Sequence, residues 1–173
     1  MSAVAPAVEL VSAVLCALLA VRLGFSMKAI VVMLFVTALL ALVVIDFQHY
    51  LLPDAITLPG IAAGVAATWL ADWPVSLLDS TLSAGIDYFA MMALAKAAEL
   101  YYREEALGQG DWKMVAMLGA FFGSTKAIAT VLMANGAGAV VGLLLVATLG
   151  SRGRQKLPLG SFLGASGILV AFW

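Results

Sequence analysis

The chain has little of what a water-facing surface needs. Charged residues make up 11% of its 173 positions, nine basic and ten acidic, where an ordinary soluble domain carries about a quarter. Hydrophobic residues reach 64% and the mean hydropathy is +1.09. A fold with so few polar groups could not cover its own surface in water, and a lipid solvent is the better explanation. A single cysteine, Cys16, excludes an intrachain disulfide and a cysteine zinc site. A single histidine, His49, has no second histidine, thiol or glutamate beside it, and reads as a surface residue of a polar connector rather than a metal ligand. No long basic run exists and the net charge is −1, so nothing points to a nucleic-acid partner. Strand-like alternation is also missing, which argues against an outer-membrane barrel. With no internal repeat and no low-complexity linker, residues 1–173 are expected to form a single integral-membrane domain.

What the chain does have is long apolar runs. A spanning helix needs roughly 20 mostly apolar residues, and on that rule seven segments emerge, at about 5–22, 28–46, 55–71, 76–101, 112–124, 127–148 and 160–173. The fifth and seventh are short enough to be partial or tilted. The expected fold class is all-α, a polytopic transmembrane helix bundle of six to seven spans. The apolar stretch Val8 to Val21 lacks the basic leader of a signal peptide and is read as a retained helix. Gly60 with Gly64, and Gly119 with Gly123, have the small-xxx-small spacing that permits close helix approach. A modest bias of Lys and Arg favours the N-terminus inside. Arg103, Lys113 and a juxtamembrane cluster of Arg152, Arg154 and Lys156 then lie at the cytoplasmic face, and Arg22, Lys28 and Lys126 at the other. Trp69 and Trp73 bracket that outer end, as interfacial tryptophans do.

Ionisable groups in or beside spans are costly, which makes each a functional candidate. Asp46 closes the second apolar run and Asp111 opens the fifth, so both fall at one membrane face although 65 positions separate them. Two carboxylates at close quarters cannot easily both ionise and hold one proton between them. That arrangement suits peptide hydrolysis: the ionised member takes a proton from the attacking water and the protonated one donates to the scissile carbonyl. Either aspartate can be the base, because the titration belongs to the pair. Gly108 and Gly110, without Cβ atoms, would let an extended substrate lie close to Asp111.

The stretch Asp46-Phe47-Gln48-His49-Tyr50-Leu51-Leu52-Pro53-Asp54, followed by Thr57-Leu58-Pro59, resembles the first-aspartate signature of the type IV prepilin peptidases. Gly108-Gln109-Gly110-Asp111-Trp112-Lys113, with Leu118-Gly119-Ala120 and Gly123 beyond it, is similar to their Gly-x-Gly-Asp signature. A weaker match is Leu157-Pro158-Leu159-Gly160-Ser161-Phe162-Leu163, near the family's Pro-Phe-Gly-Pro segment, with Leu159 and Ser161 in place of its phenylalanine and second proline. The similarity runs from about residue 28 onward. It implies a membrane aspartyl endopeptidase of the bacterial inner membrane that removes the basic leader of type IV prepilins or pseudopilins at the cytoplasmic face. Asp46 and Asp111 would be its catalytic pair, Pro53, Asp54, Gly108, Gly110 and Lys113 would be supporting motif residues, and neither a cofactor nor a metal would be needed. The bifunctional members add a methyltransferase region with paired Cys-x-x-Cys motifs. With Cys16 alone, the expectation is a short form with peptidase activity and no N-methylation.

Plainer readings stand beside these. Asp111 could simply favour a helix N-terminus. Asp54, between Pro53 and a span, is expected to be a helix cap. Lys113, about 200° around a helix from Asp111, would snorkel to head groups or meet an acidic substrate residue. Asp87, in mid-span, would hydrogen-bond to Tyr88, Asn135 or a serine. Lys96, Glu99 and Arg103 would make a solvated stripe. The rival functions are a presenilin-like intramembrane protease and a non-enzymatic proton or cation transporter subunit using Asp46, Asp87 and Asp111.

Overall fold

The computed structural model describes residues 4–70, 73–103, 108–149 and 157–173, so the cluster of Arg152, Arg154 and Lys156 lies outside the described residues. Each apolar run becomes a helix: α1 (Val4–Leu23), α2 (Met27–His49), α3 (Asp54–Ala67), α4 (Leu77–Tyr102), α5 (Gln109–Phe122), α6 (Ser124–Leu149) and α7 (Leu159–Ala171). No strand occurs among the described residues. The expected segments match these helices to within about one helical turn. Local chemistry sets the ends. The Ser26 hydroxyl accepts the Ala29 N–H at 3.1 Å and starts α2, and the Ser76 hydroxyl does the same for the Asp79 N–H at 3.1 Å and starts α4.

One boundary differs in a way that matters. The second span does not end at Asp46 but runs on to His49, which is therefore the exposed last residue of α2 and not part of a connector. The chain leaves the helix at Tyr50, which adopts the left-handed conformation (φ 52°) while its N–H bonds the Asp46 carbonyl at 2.8 Å. Asp46 is thus held one turn inside a regular helix. The only break before α3 is the short strap Leu51-Leu52-Pro53.

The bundle is built around α5. Every residue from Met114 to Phe121 is buried, and α3, α4, α6 and α7 all pack against it. Small residues make these approaches possible. A Cβ on Gly64 would meet the Ala120 Cβ and the Phe121 ring at 2.8 Å, and Gly119 sits against Ser83 and Asp87 of α4. The Ser80 hydroxyl donates to the Ala120 carbonyl at 2.7 Å and the Ser124 N–H donates to the Ser83 hydroxyl at 2.8 Å, tying α4 to the start of α6. At the end of the bundle away from Asp46, Phe35 stacks on Phe121 with centroids 3.9 Å apart.

Polarity is inverted relative to a soluble bundle. Ser80, Ser83, Asp87 and Thr130 are buried, while Leu10, Leu34, Phe89, Leu132 and Leu143 face outward, as a lipid solvent favours. Helices α1, α2 and α6 are long and apolar enough to cross a membrane. Helices α3, α5 and α7, with 14, 14 and 13 residues, extend only about 20 Å at ~1.5 Å per residue, short of the ~30 Å hydrocarbon layer. On α4, Lys96 and Glu99 pair at 2.7 Å as expected of an exposed stripe, whereas Arg103 leaves the helix in a left-handed conformation (φ 58°).

The α3–α5 contact has no room for side-chain growth. Gly64→Val is expected to lower stability by about 1–3 kcal/mol through overpacking. Gly136→Ala, where nothing lies within 4 Å of the added Cβ, is expected to leave stability unchanged or slightly raised. Thermal unfolding in detergent checks both, and equal melting temperatures for the two variants would contradict this packing.

Candidate active site

Antiparallel alternation brings the C-terminal end of α2 and the N-terminal ends of α3, α5 and α7 to one end of the bundle. There the last turn of α2 presents Asp46 and the first turn of α5 presents Asp111. Both line a single open cavity of about 350 Å³, together with the Leu51–Asp54 strap, Gly108-Gln109-Gly110 and Lys113. The two carboxylates are 5% and 8% exposed, so each is nearly enclosed by protein yet reaches the cavity wall.

The two are held differently. Asp46 Oδ2 accepts the Ser161 backbone N–H at 2.6 Å and lies 3.0 Å from the Ser161 hydroxyl. That approach depends on Gly160, where a Cβ would lie 2.9 Å from the Asp46 carboxyl carbon and 2.8 Å from Leu52. Asp111 sits in the first turn of α5, ahead of the apolar run that begins at Trp112, with its N–H on the Gly108 carbonyl at 3.1 Å. Burial, and secondly the negative charge of Asp46, push its carboxyl up to about 6, against a smaller opposing effect of the Gly108 backbone. The two aspartates therefore sense one another electrostatically.

Other expectations change here. Asp54 is not a cap: Pro53 occupies that position, and Asp54 is the first residue of α3. Its carboxylate receives both Oδ contacts from Lys113 Nζ, at 2.6 and 2.7 Å. Lys113 is accordingly paired with a residue of α3, a partner the sequence reading did not name. Gly110 has a further reason to be small. A Cβ there would meet the Leu52 Cβ at 2.6 Å, so it admits the strap, while both Gly110 and Gly108 line the cavity. His49 stays outside the cavity lining. Asp87 does too, buried against Gly119 about 12 Å further along α5. Of its expected partners, Ser124 interacts with its carboxyl. Asn135 instead donates to the Val131 carbonyl, and Asp87 Oδ2 has no partner among the described residues.

Residues 33–143, which contain Asp46, Asp54, Asp111 and Lys113, match the type IV leader peptidase family. The chain belongs to that family. Among curated proteins it is similar to the prepilin leader peptidase/N-methyltransferase of Pseudomonas putida, with 33% identity over 168 residues. It is similarly related to the proteins of that name from Pseudomonas aeruginosa and Aeromonas hydrophila, each at 31%. Each alignment covers 97% of this chain and 58% of the relative, so the chain spans a little over half the length of the curated relatives it matches. No solved structure matches it.

For this leader-peptidase family member, the residue that sequence reasoning passed over is Ser161. Its only signal was a departure, a serine where the resembling segment has proline, and it lies beyond the matched residues 33–143.

Two measurements follow from the geometry. A raised carboxyl stabilises the fold fully below its ordinary value of 3.8, and that contribution is lost as pH rises through about 6. Wild-type protein in detergent should therefore lose stability across this window, while Asp111→Asn should flatten the slope; equal slopes would contradict the burial. The Asp54–Lys113 pair is half-exposed on the aspartate side, at 55%, so a thermal double-mutant cycle with Asp54→Asn and Lys113→Met should give a coupling of at most ~1 kcal/mol that shrinks in high salt. A larger, salt-insensitive value would mean that the pair is sealed from water.

Proposed function

We propose that this protein is a membrane aspartyl endopeptidase that removes the basic leader of type IV prepilins or pseudopilins, with Asp46 and Asp111 activating water. The observation that carries the reading is the cavity in which two nearly buried carboxylates, from helices distant in sequence, face one space in a member of the leader-peptidase family. Three curated relatives bear the name prepilin leader peptidase/N-methyltransferase, which supports the same substrate class.

The chemistry follows from the shared proton. With Asp111 pushed up to about 6 by burial and by Asp46, the pair holds one proton over an acidic-to-neutral range that a covering substrate extends upward by excluding water. The ionised carboxylate takes a proton from a water as it attacks the scissile carbonyl. The protonated one donates to the carbonyl oxygen, and the leaving nitrogen is protonated as the tetrahedral species collapses. No metal enters these steps. Lys113 and Asp54 brace α3 against α5 beside the cavity, and Gly108 leaves its rim low enough for an extended peptide.

The site faces the cytoplasm of a bacterial inner membrane in this reading. Arg103 and Lys113 lie at the aspartate end, and the relatives are bacterial. These 173 residues hold no paired cysteines and supply hydrolysis without N-methylation. Asp87, with its unpartnered Oδ2, is the one feature that favours an ion-carrying role instead.

Co-expression with tagged prepilins, followed by gel mobility and N-terminal sequencing, tests the proposal. Wild type should cleave after the leader glycine, and Asp46→Asn and Asp111→Asn should each lower the rate at least about a hundredfold. Cleavage that survives in both inserted variants would remove the aspartates from the mechanism. Intact prepilins with properly inserted wild type would turn attention to Asp87 and to ion flux.

A further inference from the structure

Asp46 and Asp111 share a cavity but not an environment. Among the described residues, the hydrogen bonds to the Asp46 carboxyl come from one residue of α7, Ser161, through its N–H at 2.6 Å and its hydroxyl at 3.0 Å, both to Oδ2. The same hydroxyl lies 3.0 Å from the Val43 carbonyl, one turn earlier on α2. A hydroxyl has a single proton, so it donates to one acceptor at a time, whereas the N–H is shared between Oδ2 at 2.6 Å and the Pro158 carbonyl at 3.2 Å. Ser161 lies in the first turn of α7, so the partial positive charge of that helix end is beside the same oxygen. With Oδ2 taken by these donors, Oδ1 is the oxygen left for the cavity that Asp46 lines.

Among the described residues, other polar groups share the cavity with this carboxyl, Gln109 among them. From α5 come Asp111 and Lys113, and Lys113 is engaged by Asp54 of α3. Tyr50 lines the cavity from beyond the end of the same helix, and α7 contributes no charged group. Among the described residues no side chain does for the Asp111 carboxyl what Ser161 does for that of Asp46.

Resting on the peptidase reading, we propose that Ser161 is the positioning residue of this site, holding Asp46 by Oδ2 so that Oδ1 accepts the proton of water while Asp111 carries the shared proton. The balance is complete without another reactant. A water proton passes to Asp46 Oδ1 as the carbon–oxygen bond forms, and the Asp111 proton passes to the carbonyl oxygen. The carbon–nitrogen bond then breaks as Asp46 returns its proton to the leaving amine. Asp111 recovers its own from the diol, giving a carboxylic acid and an amine.

Two readouts on Ser161→Ala and Ser161→Thr test the assignment. In prepilin cleavage, Ser161→Ala should lower kcat about tenfold with KM within about twofold, and Ser161→Thr, which keeps hydroxyl and N–H, should recover most of kcat. The second readout needs no substrate. A hydrophobic carbodiimide, which reacts with protonated carboxyls, should modify Asp111 in wild type below pH 6 or so, and Ser161→Ala, which removes the hydroxyl and keeps the N–H, should raise the labelling of Asp46 relative to Asp111, with sites read by mass spectrometry. Wild-type kcat and a wild-type labelling ratio in Ser161→Ala would overturn the proposal, as would a threonine variant as slow as the alanine one. Failure of wild type to cleave any prepilin, with the labelling pattern intact, would instead overturn the substrate reading and leave the role of Ser161 standing.

Discussion

α7 reaches Asp46 only because its inner face is almost bare. Gly160, Gly164 and Gly167 recur along one side of that helix, and a Cβ on Gly164 or Gly167 would run into Val43, Leu39 or Leu118. Close approach through small residues is how helices gain contact in lipid, where burial of apolar surface gives no advantage over the solvent. The consequence reaches past packing. Drawing α7 against α2 delivers the Ser161 N–H to the Asp46 carboxyl, so a carboxylate that would be costly among apolar helices has a donor in place. One stripe of glycines thus serves both the bundle and the candidate site.

The second constraint is the enclosure of α5. A helix of 14 residues packed against four others carries its two charged residues, Asp111 and Lys113, at the end where water can enter, and its far end is sealed by aromatic stacking on Phe35. Polar side chains on α4 satisfy backbone groups at the α5–α6 corner, so the corner does not need solvent. Asp87 belongs to this interior rather than to the cavity. The bundle therefore keeps two kinds of acidic residue apart, one group at the mouth and one walled in by α5.

The parts legible in the sequence were those written locally. Seven apolar runs announced seven helices because length and hydropathy are properties of contiguous residues. Asp46 and Asp111 were picked out because each sits in its own motif, and topology alone sends both to one end. What escaped depends on contacts across the chain. The Lys113–Asp54 pair joins residues 59 positions apart, and the Ser161–Asp46 contact spans 115; neither is visible until helices cross. The end of α2 was misplaced because a tyrosine takes the left-handed turn that glycine usually marks. Gly110 was legible as a required glycine but not as the seat of Leu52.

The central claim is that Asp46 and Asp111 border one cavity. Its most direct test is Asp46→Cys with Asp111→Cys in a Cys16→Ser background, treated in native membranes with a short thiol-specific bifunctional reagent. An intrachain cross-link in the double variant, absent from either single one, is the predicted result. Two thiols that each react with a monofunctional reagent of the same kind, yet never join, would contradict the account.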